Sequence, residues 1–142
     1  MGRFVFADTS GLIAKFLERD ENHAAAQREA RRLSLEGRRF VTTNYVFDEV
    51  VTRTRRLAGF SWSRRVGEAI LESKLIRRVF IDEAAEALAW GFYLKFSDQE
   101  ISFTDAASFA VMRSHGLTEA FTFDRDFARA GFTMLPVGLS QA

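Results

Sequence analysis

The sequence predicts an α/β fold in which a short, mainly parallel sheet is covered by helices on both faces. Short apolar runs typical of buried strands alternate along the chain with longer segments whose apolar residues recur at helical spacing. Strands separated by helices pair in parallel, because the helix carries the chain back to the same end of the sheet. The 142 residues contain one Pro and no Gly-, Ser- or Pro-rich linker, so residues 1–142 are expected to form a single domain.

The first half of the chain is expected to supply two strands and four helices. Gly37 and Gly59 are suited to end helices, while Thr43 or Asn44, and Ser61, are suited to begin them. Between these signals, strands are predicted at 4–7 and 40–42, and helices at about 12–17, 22–36, 44–57 and 61–73.

The second half continues the alternation with three strands and two helices. The stripe of Ile81, Ala85, Leu88, Phe92 and Phe96 has helical spacing and predicts one buried helix face. A second helix is predicted from Asp105 to Met112. Strands are predicted at 77–81, 119–123 and 132–135.

Composition excludes several classes of protein. Cysteine is absent, which rules out disulfides, thiol catalysis and cysteine-ligated metal sites. No apolar run approaches the roughly 20 residues that a membrane helix requires, and the opening apolar run at 4–7 is shorter than that expected of a signal peptide. The expected location is therefore the cytoplasm, with no membrane partner. Nucleotide-binding glycine loops are also missing.

Three aspartates stand at or near the carboxyl edge of the predicted sheet. Asp8, Asp105 and Asp124 each have an ordinary structural interpretation as a helix cap, a first-turn acid or a turn residue. A fourth acid, Asp48 or Glu49, lies within an apolar helical segment, where a partly buried carboxylate needs a partner.

Taken together, the acids predict a metal site. Ligands of open α/β sheets gather beyond the carboxyl ends of the strands, which is where this arrangement places all four acids. Their mutual repulsion would raise their pKa values, and a divalent cation would relieve it. Mg²⁺ or Mn²⁺ prefers carboxylate and water ligands and is suited to phosphodiester hydrolysis by activated water.

Four segments resemble the motifs of the PIN-domain nucleases, and the resemblance is closest to the VapC-type toxins of toxin–antitoxin systems. It extends over essentially the whole chain in the right order. The segments are FADTSGL at 6–12, TTNYVFDE at 42–49, SFTDA at 102–106 and FTFDRDF at 121–127.

The resemblance implies a PIN-like three-layer sandwich and an endoribonuclease that requires Mg²⁺ or Mn²⁺. It identifies the catalytic carboxylates as Asp8, Glu49, Asp105 and Asp124. Of these, the three aspartates are expected to bind metal, and Glu49 is preferred to Asp48. A homodimer and an antitoxin that covers the active site are the implied partners.

Auxiliary positions follow from the same comparison of motifs. Thr9 and Thr104 neighbour the first and third acids and are expected to orient water. Asn44 resembles a polar residue bordering the site, and Asp126 is assigned a supporting role.

The basic residues suggest a contact with RNA. Residues 1–80 carry 16 Lys and Arg against 10 Asp and Glu, and 17 of the 20 basic residues are Arg, which suits phosphate. Arg64 has a competing interpretation, because it can pair with Glu68 on a solvated helix face. The candidates for holding the RNA backbone are Arg53, Arg55, Arg56, Arg64 and Arg65.

Four alternatives are weaker or remain open. A phosphotransferase with a nucleophilic Asp8 requires a second acid where Ser10 stands, and a receiver domain requires a second acidic pair near the N-terminus. A non-catalytic RNA-binding domain is disfavoured because bare carboxylates repel phosphate. Within the nucleases, a housekeeping enzyme of RNA processing and a toxin have the same motifs.

Overall fold

The computed structural model describes residues 3–138, which form five strands and seven helices in alternation. The strands are β1 Phe4–Ala7, β2 Arg39–Thr43, β3 Ile76–Val79, β4 Glu119–Phe121 and β5 Thr133–Leu135. The helices are α1 Thr9–Phe16, α2 His23–Leu35, α3 Asn44–Ala58, α4 Phe60–Glu72, α5 Glu83–Lys95, α6 Phe103–Ser114 and α7 Asp126–Arg129.

The sheet is parallel throughout, with the strand order β3-β2-β1-β4-β5. From β1 the chain moves outward through β2 to β3, and it then returns to the other side of β1 to form β4 and β5. Right-handed crossovers therefore place α1 to α4 on one face and α5 to α7 on the other. The predicted fold class, a parallel sheet between two layers of helices, is confirmed.

The strand order reverses between β1 and β4. The helix after β1 and the chain after β4 leave their strands in opposite directions, which opens a crevice at the carboxyl edge of the sheet. Beneath that crevice lies a closely packed core, in which the largest fully buried side chains include Phe6, Phe109, Phe121 and Phe127. This core fixes the strand ends that carry the functional residues.

The structure corrects some predicted boundaries. Strand β4 ends at Phe121 rather than 123, because the amide of Phe123 turns to donate to the Ser10 hydroxyl. Strand β3 is likewise placed at 76–79 rather than 77–81. Ser61 is not a cap: Gly59, at a φ of 92°, accepts the first hydrogen bond of α4 from Ser63.

Leu88 does not belong to the buried face of α5. Its side chain is 54% exposed, and Ala89 is instead fully buried. Ala89 packs with Ala107 and Ala110 of α6. Small side chains on both helices allow this close approach, and Ala89 takes the place of Leu88 in a stripe whose other members are partly buried as predicted. No helix within residues 3–138 is both long and apolar enough to cross a membrane.

Candidate active site

An acidic cavity of about 240 Å³ opens where the strand order reverses. We use the name acidic cavity for the space lined by Asp8, Thr9, Ser10, Glu49, Arg53, Glu100, Ser102, Asp105, Asp124 and Asp126. The residues come from the ends of β1 and β4, the starts of α1, α6 and α7, the middle of α3 and, for Glu100, the segment between α5 and α6. All four predicted catalytic carboxylates therefore line one cavity.

Asp8 occupies the N-cap position of α1, but its side chain makes no capping hydrogen bond. One carboxylate oxygen, Oδ2, accepts hydrogen bonds from the hydroxyls of Ser10 at 3.1 Å and Thr122 at 2.9 Å. The other oxygen, Oδ1, is buried and has no hydrogen-bond partner within the described part of the chain. An unpartnered buried carboxylate oxygen is costly unless a ligand supplies the missing interaction.

Asp105 has a structural role as well as a place in the cavity. It forms a capping box with Ser102, in which each side chain accepts a hydrogen bond from the backbone amide of the other residue. This contact uses Asp105 Oδ2 at 3.2 Å and fixes the carboxylate at the N-terminus of α6.

Asp124 and Asp126 lie together on the chain between β4 and α7. The amide of Asp126 donates to Asp124 Oδ1 at 2.9 Å, and Asp126 Oδ1 accepts from Arg129 at 2.7 Å. One oxygen from each of Asp105, Asp124 and Asp126 lies within 4.8 Å of the other two. Asp126 thus joins the carboxylates best placed to share a cation, although its motif position suggested only support.

Glu49 and its neighbour Asp48 face different surroundings. Glu49 Oε1 accepts a hydrogen bond from the Thr9 hydroxyl at 2.5 Å, whereas Asp48 is exposed and does not line the acidic cavity. The contact joins α3 to the start of α1 and aims Glu49 at the other acids. The residue pattern alone left open whether Asp48 or Glu49 belongs to the site, and the geometry favours Glu49.

The electrostatics are those of carboxylates crowded in a partly desolvated space. Burial raises the pKa of Asp8 to about 6, although the Thr122 hydroxyl opposes the increase. Burial and then the charge of Asp8 raise the pKa of Asp105 to about 7. Burial also raises the pKa of Asp124. Burial is the main cause of these three increases and neighbouring acids add to them, so a bound cation would favour the ionised carboxylates.

The residues present fit a divalent metal ion. The donors are carboxylate oxygens, which Mg²⁺ and Mn²⁺ prefer, and one of them, Asp8 Oδ1, is buried without a partner in the described structure. Three more carboxylates offer oxygens close enough to share an ion.

Two of the predicted auxiliary residues do not line the acidic cavity. Asn44 Oδ1 accepts from the amide of Ile81 at 2.6 Å, which connects the start of α3 to the chain after β3. Thr104 is half-buried, and its carbonyl accepts from the Ser108 hydroxyl within α6. Thr9, the remaining predicted hydroxyl, does line it.

Motif reasoning missed Ser10, Thr122, Ser102 and Glu100. Ser10 and Thr122 each lie two residues from a predicted catalytic aspartate along the chain, which was a usable signal. Ser102 was considered only as a cap, and no pattern distinguishes Glu100 from a surface acid.

The predicted arginines separate into two regions. Only Arg53 lines the acidic cavity, one helical turn beyond Glu49. Arg64 pairs with Glu68 at 3.1 Å, as its alternative interpretation required, and Arg65 lies over the ring of Trp62. The α3–α4 groove is a separate surface depression whose lining includes Phe47, Phe60, Leu71, Arg55, Arg56 and Arg64.

Comparison with known proteins agrees with this arrangement. The sequence profile of the PIN domain matches residues 5–133. The 23S rRNA-specific endonuclease VapC20 of Mycobacterium tuberculosis is 34% identical over 128 residues, which cover 90% of this chain and 95% of that protein.

Solved structures give the same result. The crystal structure of Mycobacterium tuberculosis VapC20, a sarcin-ricin loop cleaving toxin, superposes with a TM-score of 0.83 at 32% identity, covering 91% of this chain and 96% of that one. DNA-bound VapBC from Salmonella typhimurium shares the fold, with a TM-score of 0.68 at 14% identity over 94% of this chain and 97% of that chain. Because the family profile spans most of the sequence and the VapC20 likeness covers nearly all of both chains, this chain belongs to the PIN-domain family and is a VapC-type endoribonuclease.

Proposed function

We propose that this protein is the toxin of a toxin–antitoxin pair and that it cleaves 23S ribosomal RNA in the sarcin–ricin loop, using Mg²⁺ or Mn²⁺. The acidic cavity carries the proposal, because the four motif carboxylates meet there with a fifth, Asp126. The RNA target is transferred from VapC20, whose sequence is 34% identical to this one. Residues 1–142 are proposed to act as one domain.

The proposed ligands are Asp8 through Oδ1, together with Asp105, Asp124 and Asp126. A bound divalent cation activates water and neutralises the charge that develops on the phosphodiester. Glu49 is fixed by the Thr9 hydroxyl beside these acids, in a position to accept a proton from the attacking water. The capping box keeps Asp105 ordered before metal arrives.

Arg53 is proposed to contact the RNA phosphate beside the bond that is cut. It is the one cationic side chain among the described residues that line the acidic cavity, where six carboxylates would otherwise repel the substrate. It forms no ion pair with those carboxylates in the described structure, so its guanidinium is available for phosphate. Arg56, on the same helix, lines the α3–α4 groove instead.

A cleavage assay tests the function directly. An RNA stem-loop carrying the sarcin–ricin sequence is expected to be cut at one site with Mn²⁺ and left intact with EDTA. Glu49→Gln should lower the rate at least about tenfold, since a positioned base typically contributes 10²–10⁴-fold. Asp48→Asn, a change in the exposed neighbour, should cleave at the wild-type rate.

The same assay separates the arginines. Arg53→Gln should reduce kcat/KM roughly tenfold or more, whereas Arg56→Gln should change it little. Cleavage that persists in EDTA would contradict metal dependence. Cutting of a scrambled loop as fast as the sarcin–ricin sequence would contradict the proposed target, while leaving the nuclease assignment intact.

The proposed partners are an antitoxin and a second copy of this chain. The VapBC assembly of Salmonella typhimurium, which shares this fold, supports an antitoxin as the first of these partners. Exposed apolar side chains of α5, including Trp90 at 54% and Leu94 at 57%, suit a dimer interface. Because ribosomal RNA is the proposed substrate, the proposed location is the cytoplasm. Sedimentation equilibrium should give twice the monomer mass, and a single monomeric species would exclude the dimer.

A further inference from the structure

Two hydroxyl groups contact the same oxygen of Asp8. Ser10, in the first turn of α1, and Thr122, directly after β4, both lie within hydrogen-bond distance of Asp8 Oδ2. Their own oxygens are 3.1 Å apart. A single carboxylate oxygen is therefore flanked by two side chains that come from opposite sides of the crevice.

The directions of these hydrogen bonds follow from the backbone. The amide of Phe123 donates to Ser10 Oγ at 2.9 Å, and the amide of Asp124 donates to Thr122 Oγ1 at 3.0 Å. Each hydroxyl oxygen thus accepts one bond from an amide and has one hydrogen to donate. An ionised carboxylate only accepts, so the hydroxyls of Ser10 and Thr122 are the donors in their contacts with Asp8 Oδ2.

The arrangement leaves the two oxygens of Asp8 unequal. Oδ2 receives two donated hydrogen bonds, whereas Oδ1 is buried with no partner in the described structure. Both hydroxyls are also bonded to the chain that leads into Asp124. The orientation of Asp8 and the position of Asp124 therefore depend on the same pair of side chains.

We infer that Ser10 and Thr122 are positioning residues, which turn Asp8 so that only Oδ1 binds the metal ion and which hold Asp124 at a fixed distance from it. The inference rests on the proposed function, since it concerns the same metal site. Neutral hydroxyls suit this task, because they fix the carboxylate without cancelling its charge. A Lys or Arg in the same place would compete with the cation.

Metal affinity is the measurement that tests the inference. Thr122→Val keeps the shape of the side chain and removes its hydroxyl, and Ser10→Ala does the same on the other side. Titration calorimetry with Mn²⁺ alone should show binding weakened by roughly tenfold to a hundredfold in each variant, as is typical when a group that orients a metal ligand is lost. Thr122→Ser should retain nearly wild-type affinity.

A matched control separates positioning from general damage to the fold. Ser63 is also buried, but its hydroxyl donates to the Val51 carbonyl between α3 and α4. Ser63→Ala should lose some stability and bind Mn²⁺ as tightly as the wild type. In Thr122→Val, excess Mn²⁺ should restore most of the RNA cleavage, because the defect is one of affinity.

The possible outcomes are distinct. Wild-type Mn²⁺ affinity in folded Ser10→Ala or Thr122→Val overturns this inference alone. If the wild type itself binds no Mn²⁺, the proposed function fails first. If Thr122→Val does not fold, the half-buried and smaller change Ser10→Ala decides the question, and the inference fails if its affinity is unchanged.

Discussion

Asp8→Asn is expected to lower the rate of RNA cleavage by about a thousandfold and, without metal, to make the folded protein more stable at neutral pH. The first effect follows from the loss of a charged ligand, since metal stabilisation of a transition state is worth several kcal/mol and about 4 kcal/mol corresponds to a thousandfold in rate. The second follows from burial, because Asp8 is 2% exposed and next to other acids.

The pH dependence of stability has a definite sign. The pKa of Asp8 is raised from 3.8 to about 6 in the folded protein, so the folded state binds this proton more tightly than the unfolded chain. The stabilising contribution is complete below the unfolded pKa and is lost as the pH rises through about 6. Asp105, with a pKa of about 7, extends the loss toward neutrality.

Chemical denaturation in EDTA at several pH values measures this effect. The free energy of unfolding of the wild type should fall between about pH 4 and pH 7, and the Asp8 contribution is on the order of 2–3 kcal/mol. Asp8→Asn should flatten the curve, whereas Asp48→Asn, at the exposed site, should follow the wild type. A variant less stable than the wild type at pH 7 would contradict the proposed cost of the buried Asp8 charge.

Addition of Mg²⁺ or Mn²⁺ should reverse the order of stabilities. Metal binds the folded wild type and raises its free energy of unfolding. At saturating metal, the increase grows with the logarithm of the ratio of metal concentration to dissociation constant. Asp8→Asn lacks one ligand and should gain much less. Asp8→Asn is thus expected to lower the activity and to raise the stability of the metal-free protein. Such a trade-off is expected where like charges lie close together at a functional site.

The carboxyl edge of the sheet could be predicted because its signals are local. Two of the short apolar strands, β1 and β4, lead into the acids Asp8 and Asp124, and parallel pairing brings their carboxyl ends together. The strand order reverses between β1 and β4, so the crevice opens at the ends of these two strands. This is consistent with the prediction that Asp8 and Asp124 belong to one site. Helix bounds were also close, since caps and glycines mark them in the sequence.

The details of the site depend on contacts between residues distant along the chain. Thr122 binds Asp8 across a separation of 114 residues, and no local pattern indicates that pairing. Asn44, in contrast, stood in a family motif but turns toward Ile81 and supports the fold. Asp126 is a further example, because only the folded chain brings one of its oxygens within 4.8 Å of an oxygen of Asp105 and one of Asp124.

Gly11→Ala is expected to destabilise the protein severely and to disrupt the acidic cavity. A Cβ atom at Gly11 would lie 2.2 Å from the carbonyl oxygen of Phe121 and 2.8 Å from its ring atom Cδ2. The closest clash is with the backbone of a buried strand, which cannot move as a flexible side chain would. Overpacking of a rigid core typically costs 1–3 kcal/mol, and a backbone collision should cost at least about 3 kcal/mol.

The collision would also reach the metal ligands. The Phe121 carbonyl accepts the amide of Asp8 at 3.2 Å, so displacing it breaks a contact between β1 and β4. The close approach of α1 to β4 is what allows the Ser10 hydroxyl to meet Phe123. We therefore expect weaker Mn²⁺ binding in Gly11→Ala even at temperatures where the variant remains folded.

Gly91→Ala is the matched control for this change. Gly91 also lies within a helix, but nothing stands within 4 Å of a Cβ atom added there. Removing a helical glycine in open space should stabilise the protein by up to about 1 kcal/mol. Thermal unfolding should therefore shift in opposite directions for the two variants. If Gly11→Ala unfolds at the wild-type temperature and binds Mn²⁺ normally, close helix–strand packing is not what shapes the acidic cavity.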